Sequence, residues 1–219
     1  MTKIKEIFAS IQGEGPYLGY KQVFVRFCGC NLKCKYCDTD FNDINALEYT
    51  PQRLAEVLEN FTYCHSVSLT GGEPLLSVDF LKEFLPMCKL PVYLETNATL
   101  PNELKKVIDY VKYVAADIKP ESATGMVTPW DLHDKFFDIA KEKELFAKVV
   151  FDENITKEEI AKSANLCAKY DIELILQPKM SGKEFVINSD KISEILDKFL
   201  VYYPKVRVIP QTHKFLDVE

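Results

Sequence analysis

The chain has 219 residues, of which 47% are hydrophobic, so it is long enough to bury one ample core and lies in the size range of one α/β domain. Its net charge of −6 excludes an overall basic field that would attract a nucleic-acid backbone. No apolar run approaches the ~20 residues that span a bilayer, and the N-terminus lacks a signal-peptide core. We therefore expect a cytoplasmic protein that binds neither nucleic acid nor membrane.

Apolar, β-rich runs recur along the chain and predict strands. An N-terminal strand is predicted at "IKEIFAS", and seven more follow at 23–27, 67–70, 92–96, 113–117, 146–151, 173–177 and 206–210. Amphipathic stretches with helical signals lie between most of these runs. Strands that alternate with helices imply parallel pairing with right-handed crossovers, so we predict an α/β sheet or barrel.

Helix-start signals support this alternation. Thr50, followed by a proline, predicts an N-cap with proline at the first helical position. Thr156 and Glu159 have the spacing of a capping box. Ser189 or Asp190 is predicted to start the helix of "KISEILDKFL".

Polar and reactive residues follow each of the seven later strands. Arg26 and the cysteines follow the first, and the next six are followed by "TGGEP", "ETN", "DIKP", "DEN", "QPK" and "PQTHK". Loops at the carboxyl ends of parallel strands lie on one rim, where barrels and open sheets bind ligands. Ordinary turn chemistry explains any one of these loops but not all seven, so we predict a single large site at this rim.

Four of the seven cysteines lie close together after the first of these strands. Cys30, Cys34 and Cys37 form C-x3-C-x2-C, and Cys28 lies two residues upstream. In a reducing compartment such a group indicates metal or redox chemistry rather than disulfides. A structural zinc site needs a second, distant pair of ligands, which is missing here, and a four-thiolate ferredoxin cluster has a different spacing. Three ligands on one loop favour a [4Fe–4S] cluster whose fourth iron is left open for another ligand.

These residues resemble those of the radical S-adenosylmethionine (SAM) enzymes. The resemblance is carried by C-x3-C-x2-C with Tyr36 before the last cysteine, and by "GGEP" at 71–74 after the next strand. It implies that the open iron binds the methionine part of SAM and that the cluster donates an electron, which releases a 5′-deoxyadenosyl radical. It also implies a modified, incomplete (β/α) TIM-type barrel, smaller than the closed barrel of about 250 residues. Residues 1–219 are expected to form a single radical SAM domain.

Further segments narrow the resemblance to the 7-carboxy-7-deazaguanine synthase family. They are "SIQGEGPYLG", "VRFCGCNLKCKYCDT", "LTGGEP", "LETN", "LQPK" and "PQTHK", which span nearly the whole chain. The resemblance implies a carbon–nitrogen lyase that converts 6-carboxy-5,6,7,8-tetrahydropterin to 7-carboxy-7-deazaguanine with loss of ammonia. The radical is expected to abstract hydrogen from C6 of the pterin, in the biosynthesis of queuosine- and archaeosine-type tRNA bases. A homodimer and a reductant such as flavodoxin or ferredoxin are also implied.

The resemblance implies roles for residues at matching positions. Arg26 is expected to bind the substrate carboxylate, which suits its planar guanidinium. Thr39 is expected to bind Mg²⁺, a hard ion that takes oxygen ligands. The other expected substrate contacts are Ile11, Gln12, Gly13, Glu14, Thr70, His213 and Glu219. The expected SAM contacts are Tyr36, Cys37, Asp38, Gly72, Asp117, Ile118, Lys119, Gln177, Pro178, Lys179 and Met180.

The remaining cysteines and histidines are interpreted as structural. Cys28 is expected to be a buried small hydrophobe rather than a ligand. Packing roles are expected for Cys64, Cys88, Cys167, His65 and His133. Two other functions stay open at this point: a glycyl-radical enzyme activating protein, which shares the cysteine motif but acts on a protein, and a non-enzymatic iron–sulfur or zinc module.

Overall fold

The computed structural model describes residues 1–37 and 42–218. The strands are β1 (Thr2–Ile11), β2 (Lys21–Phe27), β3 (Leu47–Tyr49), β4 (Ser66–Gly71), β5 (Val92–Thr96), β6 (Val111–Ile118), β7 (Glu144–Phe151), β8 (Glu173–Pro178), β9 (Met180–Ser181), β10 (Glu184–Phe185) and β11 (Val206–Val208). The helices are α1 (Pro51–Leu58), α2 (Val78–Phe84), α3 (Pro101–Leu104), α4 (Glu121–Thr124), α5 (Trp130–Ala140), α6 (Lys157–Tyr170), α7 (Ser189–Leu200) and α8 (Thr212–Leu216).

Nine strands form one sheet in the order β11-β8-β7-β6-β5-β4-β2-β1-β3. From β2 to β11 the seven neighbouring strands pair in parallel and follow one another in chain order. All eight predicted strands are confirmed, with ends that differ by up to two residues. Within the described residues the sheet ends at β3 and β11 rather than closing, so the architecture is an incomplete (β/α) barrel.

The N-terminal part departs from the parallel pattern. β1 runs antiparallel to β2, with Ile7 opposite Val25. The two neighbouring strands are joined directly by the loop of residues 12–20, without the crossover helix that parallel strands need. The short strand β3 extends this edge and pairs antiparallel with β1. Neither β3 nor the β9–β10 hairpin was predicted, because strands of two or three residues carry too little periodicity to be recognised.

Local capping sets several helix starts. Thr50 Oγ1 accepts a hydrogen bond from the Arg53 N–H at 3.2 Å, as predicted. The predicted capping box is also present, since Thr156 and Glu159 bond each other's backbone N–H groups at the start of α6. Helix α7 begins at Ser189, but its N-cap is Asn188, whose side chain accepts from the Lys191 N–H.

The β1–β2 loop fills the inside of the open barrel. Tyr17 of this loop packs on the inward-facing rings of Tyr93 and Tyr113 and donates a hydrogen bond to Glu144, the first residue of β7. Gly15 has φ +67°, and a Cβ there would lie 2.6 Å from the ring of Phe146. The loop therefore begins and ends at the amino end of β2, where Ile11 pairs with Lys21, and it fills the lumen at that end of the barrel.

A second, larger core lies between the helices and the outer face of the sheet. Its fully buried side chains include Leu54, Leu81, Phe84, Phe136 and Phe199. None of the helices in the described ranges combines the length and the apolar character needed to cross a membrane.

Candidate active site at the carboxyl rim

Two adjoining cavities lie at the carboxyl ends of the parallel strands. The larger cavity has a volume of about 530 Å³, and the second has about 170 Å³. We call the second the cysteine cavity, because Cys30, Cys34 and Cys37 all line it. The two share a wall formed by Glu14, Thr70, Glu95 and Gln211. The predicted rim thus carries one continuous site with two compartments.

The larger cavity collects the predicted substrate contacts that fall within the described residues. Its lining includes Ile11, Gln12, Gly13, Glu14, Arg26, Thr70 and His213. The eighth predicted contact, Glu219, lies outside the described residues. Residues more than 190 positions apart in the chain are therefore brought around one space, although their contact with a substrate stays a prediction.

Arg26 is held at the mouth of this cavity by its neighbours. Its Nε donates to Glu6 Oε1 at 2.5 Å, and the guanidinium lies over the ring of Phe8 at 5.6 Å. The ion pair with Glu6 uses only the Nε nitrogen of the Arg26 guanidinium. Among the described residues the two terminal nitrogens have no carboxylate partner, so the planar end can receive a carboxylate from a ligand.

A hydrogen-bond network of glutamine and glutamate side chains orders the cavity wall. Gln12 Nε2 donates to Gln22 Oε1 and to Glu95 Oε1, both at 3.0 Å. Glu95 Oε2 accepts from Thr70 Oγ1 at 3.1 Å. The two carboxylate oxygens of Glu95 are thereby aimed by the residues predicted to contact substrate. Glu95 itself was missed as a site residue, although its position in "ETN" at a strand end was a usable signal.

The C-terminal helix closes one side of the larger cavity by direct backbone contact. Thr212 donates its N–H to the Gly13 carbonyl at 2.9 Å. A Cβ on Gly13 would lie 2.6 Å from both the backbone nitrogen and the Cβ of His213, so only glycine allows this approach. The contact explains why the N-terminal loop and the C-terminal "QTHK" form one wall.

The cysteine loop is anchored against the glycines of "TGGEP". Gly72 donates its N–H to the Phe27 carbonyl, and the Glu73 N–H donates to the Gly29 carbonyl at 2.9 Å. A Cβ on Gly72 would lie 1.7 Å from the Gly29 carbonyl oxygen. Glycine is therefore required for two backbone segments to touch at the cavity edge.

The three cysteines of the motif face one cavity, which is the arrangement that the ligands of a cluster need. Burial raises the pKa of Cys30 and Cys34, while the nearby Lys119 ammonium acts in the opposite direction and favours the thiolates. Cys30 Sγ accepts from the Leu32 N–H at 3.4 Å. In residues 1–37 and 42–218, no three His, Cys, Asp or Glu side chains converge on one metal-sized point. A cubane cluster binds each thiolate to a different iron, so its ligands need to face one cavity, as these do.

The other cysteines lie outside this cavity, and none of the seven forms a disulfide. Cys28 is half-buried rather than buried as predicted, because its Sγ lies at the protein edge, 3.5 Å from the Asn42 carbonyl. Cys64 and Cys167 are buried, and the half-buried Cys88 packs against the core. These positions agree with packing roles.

The two remaining histidines are also placed in packing environments. His133 is fully buried in helix α5, and burial lowers its pKa to about 4. His65 packs against the ring of Tyr20 at 4.2 Å, far from the rim. Neither histidine lines the two cavities.

The predicted SAM contacts divide into two groups. Tyr36, Cys37, Gly72, Asp117, Lys119 and Gln177 line the cysteine cavity, and Gln177 Oε1 is a buried acceptor with no hydrogen-bond partner there. The lining does not include Ile118, Pro178, Lys179 and Met180. Successive strand residues point to opposite faces, so Ile118 faces the helices when Asp117 faces the cavity. Asp38 and Thr39 lie outside the described residues.

Lys148 is a cavity residue that the sequence pattern did not reveal. It lies within strand β7, its side chain is only 7% exposed, and its Nζ contacts Glu14 Oε2 at 2.5 Å. A lysine inside the apolar run "FAKVVF" was the available signal, since a buried lysine requires a partner. Asn97 and Gln211 also line the cavity. Both lie in loops that the sequence analysis placed at the rim, but neither was predicted individually as a site residue.

Glu73 makes folding stability depend on pH near neutrality. It is fully buried, and burial raises its pKa to about 7, although the N–H groups of Asn97 and Leu75 donate to it. Between the usual pKa near 4.5 and about 7 the folded state binds the extra proton, so the free energy of unfolding falls as pH rises through this window.

We expect Glu73→Gln to remove this part of the pH dependence, which is on the order of 3 kcal/mol at most. Urea unfolding at pH 5 and pH 8 measures it, with the wild type losing more stability than the variant. Glu83→Gln, an exposed change on α2, is the matched control and should behave as the wild type. An equal loss of stability in the wild type and Glu73→Gln would contradict the assignment.

Comparisons with known proteins agree with this geometry. The radical SAM superfamily profile matches residues 24–124. The chain is 38% identical to the 7-carboxy-7-deazaguanine synthase of Geobacter sulfurreducens, over 98% of this chain and 97% of that protein. The corresponding protein of Archaeoglobus fulgidus is 36% identical over 97% of each chain. The crystal structure of QueE from Escherichia coli shares the fold, with a TM-score of 0.67 and 18% identity over 97% of this chain and 94% of that one.

Proposed function

This chain belongs to the 7-carboxy-7-deazaguanine synthase family of radical SAM enzymes, and from that premise we propose how its two cavities divide the reaction. The larger cavity binds 6-carboxy-5,6,7,8-tetrahydropterin, and the cysteine cavity holds a [4Fe–4S] cluster with SAM. The product is 7-carboxy-7-deazaguanine, formed with loss of ammonia. The observation that carries this proposal is that the predicted substrate residues surround one cavity that shares a wall with the three-cysteine cavity.

Cys30, Cys34 and Cys37 would hold the cluster, which leaves one iron for SAM. When bound, the cluster and SAM would supply the radical chemistry for hydrogen abstraction at C6 of the pterin. The protein's contribution is position: the shared wall keeps the two ligands adjacent, and the partnerless acceptor Gln177 Oε1 offers a site for a ligand donor in the cysteine cavity.

The larger cavity offers a chemical match for each part of the pterin. Arg26 binds the carboxylate through the terminal nitrogens that Glu6 leaves open. Glu14 and Gln12 present oxygens and backbone groups to the aminopyrimidinone edge, and His213 lines the same cavity beside Gly13. Phe8 and Phe24 stack at 5.3 Å and form an apolar wall that limits water around the planar ring.

Several further assignments rest on the family alone. We propose that Thr39 binds Mg²⁺, that Asp38 contacts SAM, and that the carboxylate of Glu219 closes over the substrate. We also propose a single radical SAM domain over residues 1–219, a homodimer, a cytoplasmic location and electron delivery by a flavodoxin or ferredoxin. The product would feed the synthesis of queuosine- or archaeosine-type tRNA bases.

The function is tested by anaerobic reconstitution of the cluster and mass analysis of the product formed from 6-carboxytetrahydropterin, SAM and dithionite. Arg26→Lys should lower kcat/KM by about 10- to 100-fold, mainly through KM. A lysine ammonium cannot form the two parallel hydrogen bonds that a guanidinium makes to a carboxylate. Arg53→Lys, an exposed change on α1, is the control and should leave kcat/KM unchanged. Wild-type protein that cleaves SAM only with a protein substrate, and never with the pterin, would refute the proposal. The relatives give no support to that alternative.

A further inference from the structure

A chain of alternating charges connects the larger cavity to the cysteine loop. Lys148 Nζ lies 2.5 Å from Glu14 Oε2 and 3.3 Å from Asp117 Oδ1. Asp117 Oδ2 accepts from Lys119 Nζ at 2.8 Å, and Lys119 in turn donates to the Tyr36 hydroxyl at 3.2 Å. Tyr36 lies between the second and third cysteines of the motif. Glu14 belongs to the wall that both cavities share, and the other members line the cysteine cavity, so the contacts lead from the shared wall to the cysteine loop.

The central members of this chain are buried and charged. The side chain of Lys148 is 7% exposed and that of Glu14 is 18% exposed. Burial opposes the charge on Lys148, but Asp117, Glu14 and Glu95 together hold its pKa well above the usual value. Burial likewise opposes the charge on Glu14, yet Lys148 lowers its pKa to about 2. A buried ion that loses its partner is strongly destabilised, so the position of one charge constrains the next.

Lys148 is not shared equally between its two carboxylates. It hydrogen-bonds Glu14, whereas Asp117 Oδ1 is a buried oxygen with no hydrogen-bond partner, although Lys148 lies within ion-pair distance. The other oxygen of Glu14 accepts from Gln177 Nε2 at 2.9 Å and from Gln211 Nε2 at 3.1 Å. A ligand in the larger cavity that donates hydrogen bonds to Glu14 would weaken the hold of Glu14 on Lys148. The ammonium would then lie closer to Asp117, whose carboxylate would become a weaker acceptor for the hydroxyl groups of a ligand in the cysteine cavity.

We propose that Lys148 couples the two ligand sites, so that a ligand bound at Glu14 weakens the binding of a ligand at Asp117. This inference rests on the proposed function, which places the pterin at Glu14 and SAM at Asp117. Lys148 is a positioning residue here, because it acts through the two carboxylates. Coupling between sites is reciprocal, so SAM must weaken pterin binding by the same factor as the pterin weakens SAM binding. We expect a factor of about 10, within the range typical of such coupling.

The test uses cluster-loaded protein without reductant, so that both ligands bind and no turnover occurs. Equilibrium dialysis gives the Kd of SAM with and without saturating 6-carboxytetrahydropterin, and the Kd of the pterin with and without SAM. In the wild type each ligand should raise the Kd of the other by about 10-fold. In Lys148→Met both ligands should still bind, but the coupling factor should fall to about 1, because no cation remains to move between the carboxylates. Lys112→Met removes an exposed lysine from the neighbouring strand and should keep the wild-type factor.

Lys148→Met leaves the buried Glu14 without a cation, while Asp117 keeps Lys119, so folding is checked by circular dichroism and by iron content. If this variant does not fold, Lys148→Gln replaces it, since its amide can still donate to Glu14 but is too short to serve both carboxylates. A coupling factor in the folded variant equal to that of the wild type would overturn the inference, as would independent binding of the two ligands to the wild type. Failure of the wild type to bind the pterin at all would instead contradict the proposed function.

Discussion

Replacement of Cys34 by alanine is expected to reduce SAM cleavage and product formation by at least about 1,000-fold, to the background of the assay. A cluster held at three corners loses its attachment to one iron when a thiolate is removed, and no other cysteine lines the cavity to replace it. Iron content per chain, 5′-deoxyadenosine release and product mass are measured on protein reconstituted without oxygen. The iron content should fall together with both activities.

The matched control is Cys28→Ala, six residues earlier in the same loop. Cys28 does not line the cysteine cavity, and its sulfur is directed to the Asn42 carbonyl. This variant should keep its iron and its activity within about twofold of the wild type. Retention of a full cluster by Cys34→Ala, or loss of the cluster in Cys28→Ala, would reverse the ligand assignment.

Gly72→Ala is expected to lower product formation by about 100-fold or more, although it adds a single methyl group. The new Cβ would lie 1.7 Å from the carbonyl oxygen and 2.4 Å from the carbonyl carbon of Gly29. Both are backbone atoms, so the collision cannot be relieved by a side-chain rotation. The cysteine loop must shift instead, and a displacement of about 1 Å at a reacting centre typically costs about two orders of magnitude in rate.

Activity, iron content and thermal unfolding together test this prediction. Gly182→Ala in the β9–β10 turn is the control, because it adds the same methyl group where no atom lies within 4 Å. Its φ of +58° costs about 1 kcal/mol for alanine, which lowers the melting temperature slightly without touching the site. If Gly72→Ala were as active as Gly182→Ala, close packing of the two loops would not be needed for the reaction.

Most of the fold was predictable because its signals are local. The apolar runs, the proline after Thr50 and the capping box of Thr156 and Glu159 each depend on neighbours within a few residues. The alternation of strands and helices then limited the topology to parallel pairing, which the sheet confirms from β2 to β11. The antiparallel β1 was placed correctly along the chain, but its direction depends on a turn whose path is set by packing inside the barrel.

The sequence predicted at which strand ends the site residues lie better than it predicted which side chains touch one another. Strand ends placed Arg26, Thr70, Gly72 and His213 on one rim, and the cavities confirm that they lie there. The face of each strand residue was harder to predict, since neighbours such as Asp117 and Ile118 point to opposite sides. Lys148 and Glu95 were missed because their roles depend on partners 134 and 83 residues away.

By itself, the sequence determined the order of strands and helices, the three-cysteine spacing and the rim on which the reactive loops meet. These features follow from periodicity, capping and spacing, all of which act over a few residues or one β–α unit. Only the tertiary structure decided that the β1–β2 loop fills the barrel, that Gly13 meets the C-terminal helix and that Lys148 lies between Glu14 and Asp117. The physical reason is that close backbone approach and buried charge pairing arise between segments far apart in the chain, where no local pattern records the partner.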